Sequence, residues 1–115
     1  MGDIRLKELA GDFLGTRVEG RALRLELDRC LKTAGQVRLD FTGVSITQSC
    51  ADELVGVAIA QAGQPLLDRL VFANCSLTVR AILELVISSR LLDNENLERT
   101  QRIREHVLES ALPVR

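Results

Sequence analysis

The order of apolar patterns along the chain restricts its fold more than any other feature of the sequence. Short strand-like runs are each followed by a segment with apolar residues at helical spacing. The strand-like runs lie at 3–9, 36–44 and 70–73, and the helical patterns cover 16–34, 49–62 and the segment after Ser76. This strand–helix order, repeated three times, predicts an α/β domain whose neighbouring strands are parallel.

Local signals support the boundaries of these elements. Thr16 stands three residues before Glu19, which is the spacing of a capping box and predicts a helix start. Gly35 is placed to end that helix. Gly63 and Pro65 are placed to end the next one.

Composition and charge exclude several classes of protein. The chain has 115 residues and a formal net charge of −1, so its overall field favours neither nucleic acid nor an anionic membrane. With three Phe and no Trp or Tyr, it lacks aromatic platforms for stacking bases. Its three widely spaced cysteines are typical of reduced thiols, and no apolar run is long enough to span a bilayer. We therefore expect a cytoplasmic protein without a cofactor or metal ion.

The most informative segment joins the second strand to the second helix. It reads Asp40-Phe41-Thr42-Gly43-Val44-Ser45-Ile46-Thr47-Gln48-Ser49-Cys50-Ala51-Asp52-Glu53-Leu54. Ligands and switches in open α/β sheets lie at the carboxyl ends of strands, which indicates a switch point of the sheet at the Ser49 turn. A phosphate on Ser49 would be favoured by the helix dipole and opposed by Asp52 and Glu53. The sequence does not decide whether the helix dipole or the two carboxylates have the larger effect on this phosphate.

This segment resembles a known family. The similar parts are 39–44, 46–49, 51–54, 69–76 and 79–83, within a match over roughly residues 15 to 90. They are similar to the STAS-like family of bacterial domains, which has no assigned activity. The resemblance implies a small STAS-like α/β fold, with a mostly parallel central sheet and helices packed on it.

The STAS-like family is in turn similar to the anti-sigma-factor antagonists. That likeness implies a regulatory protein–protein interaction module whose partner is an ATP-binding serine-kinase-type anti-sigma regulator. It also implies phosphorylation of a serine in the turn before a helix, and Ser49 is that serine by motif position. The antagonists usually have Asp-Ser-Ser-Gly in this turn, where this chain has Thr47-Gln48-Ser49-Cys50, so only Ser49 keeps their pattern. The partner-binding candidates are Thr47, Gln48, Ser49, Cys50, Asp52 and Gly56.

Two residues of the motif have a second interpretation. Ser49 and Asp52 also have capping-box spacing, so a structural cap is the alternative to phosphorylation. Cys50 in a first helical turn could have a lowered pKa, which would suit a thiol-dependent enzyme or a redox sensor. A catalytic thiol needs a base, and the one histidine, His106, lies in a weakly patterned segment. We favour a buried Cys50 in a protein that is not an enzyme.

A row of arginines and one aspartate are further candidate sites. Arg17, Arg21 and Arg24 share one helix face, which could meet an acidic partner or a phosphate. The favoured interpretation is a solvated face. Asp40 could ligate a metal ion, but a role in closing a turn is preferred.

The chain divides into a STAS-like domain at 1–92 and a C-terminal helical extension of the same domain at 93–115. The extension is polar, with a few apolar residues at helical spacing. These are Leu97, Ile103, Val107 and Ala111. This composition indicates a surface helix, and homodimerisation through it is a further expectation.

Overall fold

A computed structural model describes the backbone of residues 1–111 and the side chains of residues 1–102. The elements in chain order are β1 (Gly2–Arg5), α1 (Leu6–Ala10), β2 (Phe13–Leu14), α2 (Arg17–Leu31), β3 (Val37–Asp40), β4 (Ser45–Ile46), α3 (Gln48–Ala51), a π-helical segment (Asp52–Gly56), α4 (Val57–Ala62), α5 (Gln64–Leu67), β5 (Leu70–Ala73) and α6 (Leu77–Ala111). α3, the π-helical segment and α4 are continuous, and we call them together the central helix (48–62).

Three parallel strands form the central sheet, in the order β1–β3–β5. Ile4, Leu39 and Leu70 point to one face of this sheet and are buried in the single hydrophobic core, where the helices pack. On the opposite face, Arg38 forms an ion pair with Asp3 at 3.4 Å. The predicted α/β class, with helices on a mostly parallel sheet, is confirmed.

The first strand is shorter than the sequence pattern indicates. A strand was expected over 3–9, but β1 ends at Arg5 and α1 follows directly. The residues of α1, Leu-Lys-Glu-Leu-Ala, are all good helix formers. The imperfect alternation of apolar and polar residues over 3–9 is also typical of a strand, and this is why the predicted strand is too long. Gly11 ends α1 with a φ of 85°.

The strand expected over 36–44 is also shorter. β3 ends at Asp40, whose Oδ1 accepts hydrogen bonds from the backbone N–H and the hydroxyl of Thr42, at 2.9 and 2.6 Å. Asn74 donates a third, at 3.1 Å. Asp40 therefore closes a turn, as predicted, and these hydrogen bonds from Thr42 and Asn74 lower its pKa to about 2. The chain then forms β4, which pairs with β2 in a separate two-stranded parallel sheet.

The central helix consequently follows β4 and not a strand of the central sheet. In the sheet, β1, β3 and β5 lie side by side in the same order as in the chain. Each new strand is therefore added at the same edge, and the strand order never reverses. A switch-point crevice needs such a reversal. The interpretation of the Ser49 turn as a switch point of the sheet is therefore wrong.

The helix start predicted at Thr16 is present, although the Glu19 carboxylate binds the backbone N–H of Gly15 and not that of Thr16. The Thr16 hydroxyl oxygen accepts a hydrogen bond from the Glu19 N–H at 3.1 Å, and it donates to the Glu19 carboxylate at 3.0 Å. The helix ends at Leu31, earlier than the expected end near Ala34. Arg69, from the turn before β5, binds the carbonyl oxygens of both residues, at 2.6 and 2.8 Å. The end of α2 is thus held by a distant cation.

α6 packs along the central helix. It starts with a cap at Ser76, whose Oγ accepts a hydrogen bond from the Val79 N–H at 3.2 Å. Asn94 is 6% exposed and donates to the carbonyl oxygens of Ala60 and Gln61, at 3.0 and 3.3 Å. No helix in the described part of the chain is both long and apolar enough to cross a membrane.

The segment 93–115 is helical as far as Ala111 and belongs to α6. The side chains of Ile103, His106, Val107 and Ala111 lie outside the described residues. The division of the chain at 92 and homodimerisation through the extension stay predictions.

Candidate functional site

Thr47 caps the central helix, two residues earlier than a cap at Ser49 would. Its Oγ1 accepts a hydrogen bond from the Cys50 N–H at 3.2 Å and donates to the Gly15 carbonyl oxygen at 3.0 Å. Ser49 is the second residue of the helix. The alternative in which Ser49 is the cap is therefore wrong, and Ser49 lies in the first turn of the helix, not before it. Its exposed side chain makes no hydrogen bond to the residues that the structure describes.

Asp52, one turn further along, is held between two other helices. Arg90 of α6 donates two hydrogen bonds to its carboxylate, both at 2.7 Å, and Arg17 of α2 donates one at 3.1 Å. The Asp52 side chain is only 15% exposed. The hydrogen bonds from Arg90, followed by those from Arg17, lower the pKa of Asp52 against the opposing effect of burial. Asp52 is therefore a charged group with its partners inside the protein.

Glu53 forms ion pairs with three of the arginines of α2. Its carboxylate lies 3.5 Å from Arg17, 3.4 Å from Arg24 and 4.0 Å from Arg21. Arg24 also donates to the backbone carbonyl of Glu53 at 3.3 Å. Arg17 and Arg21 are solvated, as the favoured interpretation of this row expects, but all three arginines also bind the acidic pair Asp52 and Glu53. Adjacent residues diverge on a helix, but the long Arg17 side chain reaches both carboxylates.

Two expected binding residues lie beneath neighbouring helices. Cys50 is fully buried, and α2 crosses it so closely that a Cβ on Gly20 would lie 2.5 Å from the Cys50 carbonyl oxygen. Gly56 is buried under α6, where an added Cβ would lie 2.9 Å from Val86. Of the partner-binding candidates, Cys50 and Gly56 are therefore buried, and Asp52 is largely covered.

Burial also decides the state of the Cys50 thiol. Loss of solvent contact, followed by the charge of Glu19, raises the pKa of Cys50 to about 11. A reactive cysteine at a helix start needs the opposite shift. The thiol is therefore protonated at neutral pH and packs as a small apolar group.

The exposed part of the site is narrower than the sequence indicates. Gln48 and Ser49 are exposed at the helix start, Thr47 is half-buried, and Arg17 and Arg21 border the site with side chains 52% and 59% exposed. Ser49 precedes Asp52 by three residues and Glu53 by four, which places the three on one helix face. The site thus combines the exposed hydroxyl of Ser49 with the paired carboxylates of Asp52 and Glu53. The partly exposed guanidinium groups of Arg17 and Arg21 lie beside them.

Sequence reasoning missed Arg90, which fixes the carboxylate of Asp52. A signal was present, because Val79, Leu83, Val86 and Arg90 follow one another at spacings of four, three and four. A charged residue that continues an apolar stripe must meet a partner when the stripe is buried. The identity of that partner depends on the helix packing.

Comparison with known sequences identifies a family for the chain. The profile described as "STAS-like domain of unknown function (DUF4325)" matches residues 19–80, which include most of α2, the whole central helix, β5 and the start of α6. No curated protein matches the chain significantly. No solved structure does so either.

Proposed function

The chain belongs to the family of STAS-like domains of unknown function, and we propose that it is a cytoplasmic regulatory module that binds a protein partner. The proposed partner is an ATP-binding serine-kinase-type anti-sigma regulator, and phosphorylation of Ser49 is the proposed switch. The likeness of the motif around Ser49 to that of the anti-sigma-factor antagonists motivates both parts.

The observation that carries the proposal is the free hydroxyl of Ser49. Thr47 already caps the helix start. The Ser49 side chain makes no hydrogen bond to the described residues that a phosphate would break. Its side chain is exposed, which a kinase requires of its substrate. A modification there would change the surface and leave the fold in place.

The electrostatic balance at Ser49 also supports a phosphate. The helix start favours an anion, and the sequence left open whether Asp52 and Glu53 would cancel this effect. Each carboxylate is paired with arginines from other helices. Their repulsion of a phosphate is therefore reduced, and the guanidinium group of Arg17 is available on the same side.

The module is proposed to act by binding and not by catalysis. The main enzymatic alternative was a reactive Cys50, and the buried thiol with its raised pKa argues against it.

The proposal is tested by partner capture from a lysate of the source organism. The bait is the full chain in four forms: wild type, Ser49→Ala, Ser49→Asp, and Ser88→Asp as a matched control. Ser88 is exposed on α6, outside the site, so its variant introduces the same charge elsewhere. We expect wild type, Ser49→Ala and Ser88→Asp to retain one ATP-binding, kinase-like protein, and Ser49→Asp to lose it. Incubation of wild type with that protein and ATP should add one phosphate, located on Ser49 by mass spectrometry.

Each alternative result removes a defined part of the proposal. Equal capture by Ser49→Asp and wild type would remove the switch and leave a binding module. Loss of capture by Ser88→Asp as well would show a nonspecific charge effect. If wild type retains no specific protein, the binding function itself is wrong.

A further inference from the structure

α2 has a second apolar stripe that the domain does not bury. Val18, Ala22 and Leu25 follow one another at i, i+4 and i+7, and all three are exposed, with Val18 at 71% and Leu25 at 66%. Leu23 and Leu27, on the opposite side of the helix, fill the core. A solvated face would normally be polar, so this stripe is a candidate for contact with another molecule.

One edge of this stripe is basic and has unused hydrogen-bond donors. A rotation of about 100° per residue places Arg17 and Arg21 on the same side of the stripe, towards the central helix. Arg17 uses only one nitrogen, Nη1, for its contacts with Asp52 and Glu53, and Arg21 reaches Glu53 only at 4.0 Å. A guanidinium group has five N–H donors in a planar fork. Both arginines can therefore bind further carboxylates without giving up their present contacts.

The other edge of the stripe is acidic, and both of its carboxylates have partners within α2 or in the residues just before it. The Glu19 carboxylate accepts hydrogen bonds from the Gly15 N–H at 3.3 Å and the Thr16 hydroxyl at 3.0 Å. Glu26 is paired with Arg29, one turn away. Both acidic side chains thus have local partners, whereas Arg17 and Arg21 keep unused N–H donors at the opposite edge, which favours a partner with negative charge.

We infer that the outer face of α2, formed by Val18, Ala22 and Leu25 with Arg17 and Arg21 along one edge, is the docking surface for an amphipathic segment of the protein partner that carries carboxylates beside its apolar residues. The three apolar side chains form the small desolvated centre that such interfaces need, and the arginines form the polar rim. This inference rests on the proposed function and specifies its contact surface.

The position of Ser49 connects this surface to the switch. Arg17 is bound by the two residues that lie three and four positions after Ser49. A phosphate on Ser49 would offer Arg17 a stronger acceptor on the same helix face and would compete with the carboxylates of the partner.

The test is photo-crosslinking in cells of the source organism, with the full chain carrying a benzophenone amino acid at Ala22. The matched control carries it at Ala81, which is exposed on α6. We expect a crosslink from Ala22 and none from Ala81, and the crosslinked peptide should contain several Asp or Glu residues interspersed with apolar residues. Adding Arg21→Glu to the Ala22 form should lower the yield on the order of tenfold, whereas Arg21→Lys should keep most of it.

Several results would overturn this surface. These are a crosslink from Ala81 equal to that from Ala22, a basic peptide, a peptide from a second copy of this chain, a lipid adduct, or a yield unchanged by Arg21→Glu. If the chain retains its kinase-like partner in the capture experiment but Ala22 gives no crosslink, the surface is wrong and the proposed function stands. If no partner is retained, both are wrong.

Discussion

Thr47 and Ser49 are two positions apart and have different environments. Thr47 is half-buried and joins the helix start to Gly15, whereas Ser49 is exposed and makes no hydrogen bond to the described residues. Both are hydroxyl residues with good capping character, so their sequence context does not separate them. The backbone geometry does, because only Thr47 has the extended φ and ψ of a cap, at −86° and 160°.

Replacing Thr47 by Val should therefore destabilise the protein. The variant keeps the shape of the side chain and loses both hydrogen bonds, and we expect the free energy of unfolding to fall by about 1–2 kcal/mol. Ser49→Ala is the matched control and should change it by less than about 0.5 kcal/mol. Urea unfolding followed by circular dichroism measures both, and an equal loss in the two variants would contradict the assignment of the cap.

At the scale of elements, the close crossing of α2 over the start of the central helix sets the geometry of the site. Gly20 allows this approach, since an added Cβ would meet the Cys50 carbonyl at 2.5 Å and the Glu53 Cβ at 2.9 Å. The crossing brings the arginines of α2 onto Asp52 and Glu53 and buries Cys50. The π-helical segment begins at Asp52, and such segments are frequent at functional sites.

Gly20→Ala tests this crossing. Helix propensity alone predicts a gain of about 1 kcal/mol, but the contact is with a backbone carbonyl that cannot move aside. We expect a net loss of about 1–3 kcal/mol in the free energy of unfolding, because the two helices must separate. Gly35→Ala is the control, since nothing lies within 4 Å of its added Cβ. A stabilised Gly20→Ala variant in the same urea titration would contradict the close packing.

At the scale of the whole molecule, α6 links the extension to the domain. Arg90 and Asn94 both bind the central helix, Arg90 at its π-helical segment and Asn94 at its end. Asn94 lies beyond the boundary at 92 that the sequence indicates. An added Cβ on Gly63 would lie 2.5 Å from Asn94 Oδ1, so that glycine both ends α4 and makes room for Asn94.

A chain that ends at Leu92 should consequently be less stable than the full chain. It loses the two hydrogen bonds from Asn94 to the carbonyl oxygens of Ala60 and Gln61, which should cost about 1–2 kcal/mol. Asn94→Ala in the full chain should lose a similar amount, and a chain that ends at Arg102 should not. Thermal unfolding compares these three variants with the full chain. Light scattering on the same samples tests homodimerisation through 93–115. Equal stability of the chain that ends at Leu92 would contradict the role of Asn94.

The sequence by itself determined the features that depend on near neighbours. The order of the three central strands and the three main helices, the caps at Thr16 and Ser76, the stop at Gly63 and the turn at Asp40 follow from contacts within a few residues. Within the candidate site, the motif located Ser49, whereas the sequence could not tell which of its neighbours are exposed.

Only the tertiary structure decided the pairings between distant residues. Arg90 and Asp52 are 38 residues apart in the chain, Arg69 and Leu31 are also 38 apart, and Arg24 and Glu53 are 29 apart. The pairing of β2 with β4, two residues each, leaves no periodic pattern at all. Such contacts depend on the angle and distance at which finished helices and strands pack, because a local pattern specifies which face is buried but not what lies against it.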